Sequence, residues 1–476
     1  MYANKLMAIP LYIAVFFIPV VFVGWPSIST VWSDPFGICL IIGFFIMLIF
    51  HFCGMKIYMP RSKQLKIFLL FIAYHIITGI INYYDLASDV FDSRLVLQKY
   101  IIYIFFLCIM FGVDIYIYNV LKIKKSMKIL LLSKVLLVAL FLELVYSLIQ
   151  FMGIIGMPMM IDLVTNIGPA FGRGELGMRA YFLKLYGFTG EPSSLANFII
   201  FTFPWLLIIF YNIKNKMTLK IMFICLLVVD MFVLFMTFSR TAYFGAVLSC
   251  LIGILLFKKE LINFIKKDIK KIITASIIFF CAINCIVSYI LVEWKAPVNL
   301  DEMINVTIAS FINEDERKTN GSNITRVAGM YAAVNAAADK PLLGCGFGTL
   351  SLYQNKYYPN WAVASEEIVN GLTVVESKTH GFREMPTMVI ARTLAEGGII
   401  GMLIWIMMFL VIIIDCLKLN KKSVGIKSVY IRCVAWMAII SQILAINTSY
   451  IFSYIYVLLF PIYWSIRDDI YSEYEK

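Results

Sequence analysis

Charge is scarce in this chain. Asp, Glu, Lys and Arg make up 15% of its 476 residues, while 61% are hydrophobic. Soluble domains carry about 25% charged and about 45–50% apolar residues, so this shortage excludes a soluble globular protein and leaves an integral membrane protein. Clustered metal ligands are missing as well. Of ten cysteines only Cys345 lies in a polar segment, and there are three histidines. The cysteines read as small buried hydrophobes, and Cys281 with Cys285 in one apolar run makes no zinc site. The glycine turn Gly344-Cys345-Gly346-Phe347-Gly348 is followed by no GK[ST], which excludes a P-loop. It reads as a turn after a helix ended by Pro341. Neither metal nor cofactor is expected. The net charge is +12, but no basic patch lies on a foldable soluble domain, so nucleic acid is not an expected partner.

What is present is a series of apolar runs. Crossing a bilayer core takes about 20 residues at a rise of about 1.5 Å each. By that standard twelve spans are expected, at 8–24, 36–54, 67–82, 99–118, 129–151, 193–213, 220–238, 242–257, 272–292, 393–417, 429–447 and 450–466. The first has no small-residue cleavage site and is expected to be a retained helix. Alternate loops hold Lys56 to Lys66, Lys122 to Lys128, Lys214 and Lys216, Lys258 to Lys271, and Lys418 to Lys427. All fall on one side when the count is twelve, which predicts both termini in the cytoplasm. The run 258–271 is expected to lie on anionic lipid. With no internal repeat or low-complexity tail, residues 1–476 are expected to form one polytopic all-α membrane domain.

Two polar segments are then exported, 152–191 and the large loop 293–385. They hold most of the candidate chemistry. Arg326 follows Ser322 and Asn323 and is expected in the first turn of a helix, where guanidinium and unpaired backbone N–H groups together attract an anion. Arg173, Arg179, Arg240, Arg317, Arg383 and Arg392 are the other outer arginines. Arg392 and Glu396, four apart, can pair with each other, and Gly397-Gly398 allows a bend. Glu191, at the mouth of the sixth span before Pro192, is expected to be partly desolvated and so suited to act as a general base; it can equally complement the helix dipole. His380 can orient a phosphate or accept a proton, whereas His51 and His75 are expected to be satisfied structural residues. Asp114, Lys134, Glu143 and Asp230 lie inside spans, where charge is costly and marks function by default. They keep a transport pathway open.

Three blocks, TFSRTAYFG, TRVAGMYAAVNAAADKPLLGCGFGTL and THGFREMPTMVIARTLAEGGIIG, resemble in order and spacing the signatures of the O-antigen polymerase and O-antigen ligase superfamily. The resemblance implies a bacterial inner-membrane glycosyltransferase of GT-C-like architecture that uses polyprenyl-pyrophosphate-linked glycans as donor and acceptor. It implies that Arg240 and Arg326 bind pyrophosphate, that His380 matches the family's histidine near the outer end of a span, and that a chain-length regulator is a partner alongside membrane lipid. From the residue chemistry, Glu191 is expected to be the base and His380 to orient acceptor or phosphate, with His380 as the second candidate for the base; Arg179 and Arg392 are expected as further substrate contacts. His380 precedes Gly381, where many ligases have Asn, and GFTGEPSSLA looks more like the polymerase branch. Ligation to a lipid or protein acceptor, and a lipid-linked oligosaccharide flippase, are the alternatives.

Overall fold

The computed structural model describes residues 2–20, 35–88, 90–91, 94–122, 125–154, 157–171, 184–213, 217–260, 262, 321–364, 368, 388–444 and 453–474. The expected span 272–292, His380 and Arg179 lie outside the described residues. The other eleven expected spans are each occupied by a helix. These are α1 (Tyr2–Phe16), α2 (Pro35–Phe52), α3 (Lys63–Ile81), α5 (Val96–Lys122), α6 (Lys125–Ile154), α8 (Pro192–Asn212), α9 (Met217–Met236), α10 (Arg240–Leu256), α13 (Val389–Lys422), α14 (Ile426–Leu444) and α15 (Tyr454–Tyr474). Between them come the short α4 (Tyr83–Ser88) and α7 (Pro158–Ile167), then α11 (Gly321–Asp339) and the one-turn α12 (Leu350–Tyr353) of the polar segment. The only strands among the described residues are the two-residue pair Val90–Phe91 and Arg94–Leu95.

The protein is a helical, multi-pass membrane protein. Among the described residues seven helices, α2, α3, α5, α6, α8, α13 and α14, are long and apolar enough to cross a bilayer. Three others, α1, α9 and α10, contain shorter apolar stretches. The helix α15 falls short because Arg467, Asp468 and Asp469 interrupt its apolar run. Large apolar side chains on these helices face outward, among them Phe45, Ile49, Ile80, Phe105, Phe141, Val247 and Leu403. A water-soluble chain does not present such rows, whereas lipid accepts them.

The chain divides into two units: Met1–Phe50 with Ile123–Leu300 and Ser423–Ile440, and His51–Lys122 with Asp301–Lys422 and Ser441–Lys476. In the first, α6 packs against α1, α7, α8 and α9, and α8 against α10. The end of α10 is closed by Arg432 of α14, which donates to Leu256 O at 3.0 Å and to Glu260 at 2.6 Å. A guanidinium at a helix C-terminus satisfies a carbonyl that the helix leaves open and opposes the negative end of the dipole.

In the second unit α3 and α11 pack on α13, and α5 packs on α15. Loops of like composition gather at the same end. Lys122 lies over the Tyr58 ring at 3.4 Å, Tyr58 N donates to Asn119 at 2.8 Å, and Arg467 bonds both Asp415 (3.0 Å) and the Arg61 carbonyl. At the opposite ends of these helices Asp85 pairs with Lys340, and Lys99 bonds Ser351. The lysine-rich loops 56–66 and 418–422 thus lie at one end, and the polar segment at the other.

Candidate functional site

In the second unit the polar segment is built on α11. Ala328, Ala332, Ala333, Ala336 and Ala337 form one buried face of this helix. Two of them, Ala333 and Ala336, join Leu350, Ala391 and Ala395 in a core bordered by Tyr357 and Met388. Small residues at i, i+4 spacing let two helix backbones approach closely, which the packing of α11 on α13 uses. Arg326 is half-buried on α11, with Thr325 beside it fully buried. The helix begins at Gly321, so Arg326 is its sixth residue and lies in the second turn. The expected place in the first turn is therefore corrected. Because the helix dipole acts within the first turn, Arg326 contributes its own charge more than it shares the helix end's.

After α11 the glycine turn docks against a break in α13. Gly398 has φ 63° and ψ −170°, which interrupts the helix. Four backbone groups near the break, Ala395 O, Glu396 O, Gly397 O and Ile399 N, are satisfied from outside the helix. Cys345 N donates to Ala395 O (2.8 Å) and Gly346 N to Glu396 O (3.1 Å), while Ile399 N donates to Pro341 O (2.8 Å). Tyr74 OH of α3 reaches Gly397 O at 2.6 Å and Leu342 O at 3.0 Å. A helix can be broken at membrane depth only when neighbours take over its hydrogen bonds in this way. A side chain at Gly398 would overlap the Leu342 carbonyl, so the turn and the glycine pair require each other.

Arg392 and Glu396 form a buried pair in the first half of α13, Nε to Oε1 at 3.0 Å. The same Oε1 accepts from Leu350 N at 3.4 Å. The Arg392 guanidinium and Lys99 Nζ each lie over the Tyr103 ring, at 5.7 and 5.6 Å. Arg392 thus supports the wall behind the glycine turn, and its pairing with Glu396 is the simpler of the two expectations. Phe347 inserts from the turn onto His75, with ring centroids 4.6 Å apart, and Phe71 meets His75 edge-on at 4.4 Å. His75 is structural, but neither of its ring nitrogens has a hydrogen-bond partner among the described residues, so the expectation of a satisfied histidine is corrected. His51 does bond, Nδ1 to Met55 O at 2.8 Å. Cys345 is buried rather than exposed with its segment, and burial pushes its thiol up to about 12. Cys416 and Cys433 are buried too, but Cys53, Cys108, Cys225 and Cys250 are exposed, which corrects the reading of the cysteines as uniformly buried.

In the first unit, residues 184–191 run to the start of α8. Leu185 N donates to Met236 O at 3.0 Å, which ties this segment to the turn between α9 and α10. That turn carries Phe238 at φ 45°, the only non-glycine with positive φ among the described residues, and it delivers Arg240 as the first residue of α10. The segments bearing Glu191 and Arg240 thus lie at one end of this unit. Glu191 is the extended residue before α8, with Pro192 in the first helical position, and its side chain makes no capping bond. It is exposed, so the partial desolvation expected of it is not provided by the chain. Asp114, Glu143 and Asp230 are fully buried, and Lys134 is exposed on α6.

Helices of this length and outward apolarity, carrying a polar segment folded onto a broken helix, define a multi-pass membrane protein. Residues 221–406 match the family described as O-antigen ligase, which supports assigning the chain to the O-antigen polymerase and ligase superfamily. The match indicates glycosyl transfer of the ligase or polymerase type. It takes in Arg240, Arg326, His380 and Arg392 and leaves out Glu191. No curated protein matches the chain.

Proposed function

We propose that this protein polymerises polyprenyl-pyrophosphate-linked oligosaccharide repeat units on the periplasmic face of the bacterial inner membrane. The observation that carries the reading is the family match at 221–406, which encloses Arg240 and Arg326. In the proposed step a sugar hydroxyl of the acceptor attacks the anomeric carbon of the donor. The new C–O bond forms as the bond to pyrophosphate breaks, and the departing lipid pyrophosphate gains negative charge. Arginines bind that charge more tightly as it develops and so serve where other enzymes use a metal ion. The hydroxyl proton passes to Glu191, with His380 as the alternative acceptor. Polymerisation rather than ligation is favoured by the GFTGEPSSLA block around Glu191.

Ligation of finished polymer to a lipid or protein acceptor is the second reading, favoured by the description of the matched family. The test is reconstitution with one lipid-linked repeat unit, products being resolved on a gel. A ladder of lengths is the expected result, lost in Arg326→Ala at unchanged expression. Product only when a separate acceptor is added means a ligase. Substrate movement across the vesicle without a new bond would overturn both.

A further inference from the structure

A glutamate in the middle of a membrane helix is costly and asks for a purpose. Glu143 is fully buried on α6, and the structure shows what its carboxylate holds. Its Oε1 accepts from Phe188 N at 2.9 Å. Seven residues on, Gln150 Oε1 accepts from Gly187 N at 2.9 Å and from Tyr186 N at 3.4 Å. Seven residues are two helical turns, about 10 Å along the axis, so both side chains rise from one stripe of α6 beneath one backbone turn. Between them Tyr146 stacks on Phe188, with ring centroids 4.2 Å apart and planes 9° from parallel.

The turn is also closed from within. Thr189 Oγ1 bonds Tyr186 O at 2.7 Å and Glu191 O at 3.0 Å. Gly187 has φ 57°, and a side chain there would collide with the Glu143 carboxylate. Glycine is therefore the residue that lets backbone and carboxylate meet. Three consecutive backbone N–H groups at 186–188 are thus received by two α6 side chains, and the chain emerges from this cradle at Glu191.

We propose that Glu143 is a positioning residue: with Gln150 it fixes the 186–191 turn and presents Glu191 at the start of α8. The inference rests on the reading of Glu191 as proton acceptor.

The test compares Glu143→Gln, Glu143→Leu and Glu191→Gln in the full-length reconstituted protein. It measures kcat and KM together with hydrogen exchange of the 184–191 backbone. Glutamine keeps an acceptor oxygen, so Glu143→Gln is expected to retain wild-type exchange and turnover. Leucine removes it, and exchange is expected to rise at 186–188. There kcat should fall at least about tenfold, part of the factor of about 10²–10⁴ that a placed proton acceptor supplies, with KM little changed. Unchanged exchange in Glu143→Leu would overturn the proposal. So would loss of turnover in Glu143→Gln equal to that in Glu143→Leu, because charge and not the acceptor would then matter. Wild-type turnover in Glu191→Gln with raised exchange in Glu143→Leu would remove Glu191 as the base while upholding the hold of Glu143 on the turn.

Discussion

Ile399 N donates to Pro341 O at 2.8 Å across the point where α13 is broken. This bond replaces the one Ile399 would have made within an unbroken helix, and it ties the polar segment to a membrane helix through backbone alone. The adjoining Gly398 is the vulnerable position. In Gly398→Ala the left-handed backbone costs about 1–3 kcal/mol, and the added methyl must also displace the Leu342 carbonyl. Gly425→Ala is the control, since its φ is 65° and nothing lies within 4 Å of an added Cβ. Thermal unfolding in detergent is expected to show a modest loss for Gly425→Ala and a much larger one for Gly398→Ala.

The buried pair Arg392–Glu396 gives a second prediction. Removing one partner of a buried ion pair costs about 3–5 kcal/mol because the other charge stays buried. Arg392→Met is expected to lose stability on that scale, and Arg392→Met with Glu396→Leu to recover most of it. If Arg392 served substrate only, the single variant would lose turnover while its melting temperature stayed unchanged.

Cys345 is expected to resist alkylation. Its thiol is pushed up to about 12 by burial, so at pH 8 almost none is thiolate, the reactive form. Maleimide labelling resolved by mass spectrometry should modify the exposed Cys53 well before Cys345. Cys345 should react only after denaturation.

Glu260 supplies a pH dependence. Its hydrogen bond to Arg432 holds its carboxyl below the usual value. A depressed folded value means the stabilisation is present above the unfolded value of about 4.3 and is lost as pH falls through the folded one. Glu260→Gln should therefore melt lower than the native protein at pH 7, by about 1 kcal/mol or less for a partly exposed pair. The two curves should converge as the medium becomes acidic.

Much of this protein is legible in one dimension. Apolar runs separated by lysine loops place helices at eleven expected positions, because lipid demands long unbroken apolar stretches whatever the tertiary arrangement. The Arg392–Glu396 pair is likewise readable, since i, i+4 neighbours meet on any helix. Helix ends are less so. Ser322 and Asn323 look like caps, yet the helix already includes them, which moves Arg326 one turn inward.

What the sequence by itself determined is therefore local and periodic: the class of protein, the helices, and the motifs that match a known family. Only the tertiary structure decided what the polar residues inside those helices do. Nothing in the spacing of Glu143 and Gln150 reveals that both receive the backbone of residues 186–188, because their partners lie about 40 positions away. The same is true of the break at Gly398. Two adjacent glycines permit a bend, but the bend exists because a turn some 50 residues upstream supplies hydrogen bonds that the helix gives up. Unsatisfied backbone groups are too costly in an apolar surrounding for either half to hold this shape alone.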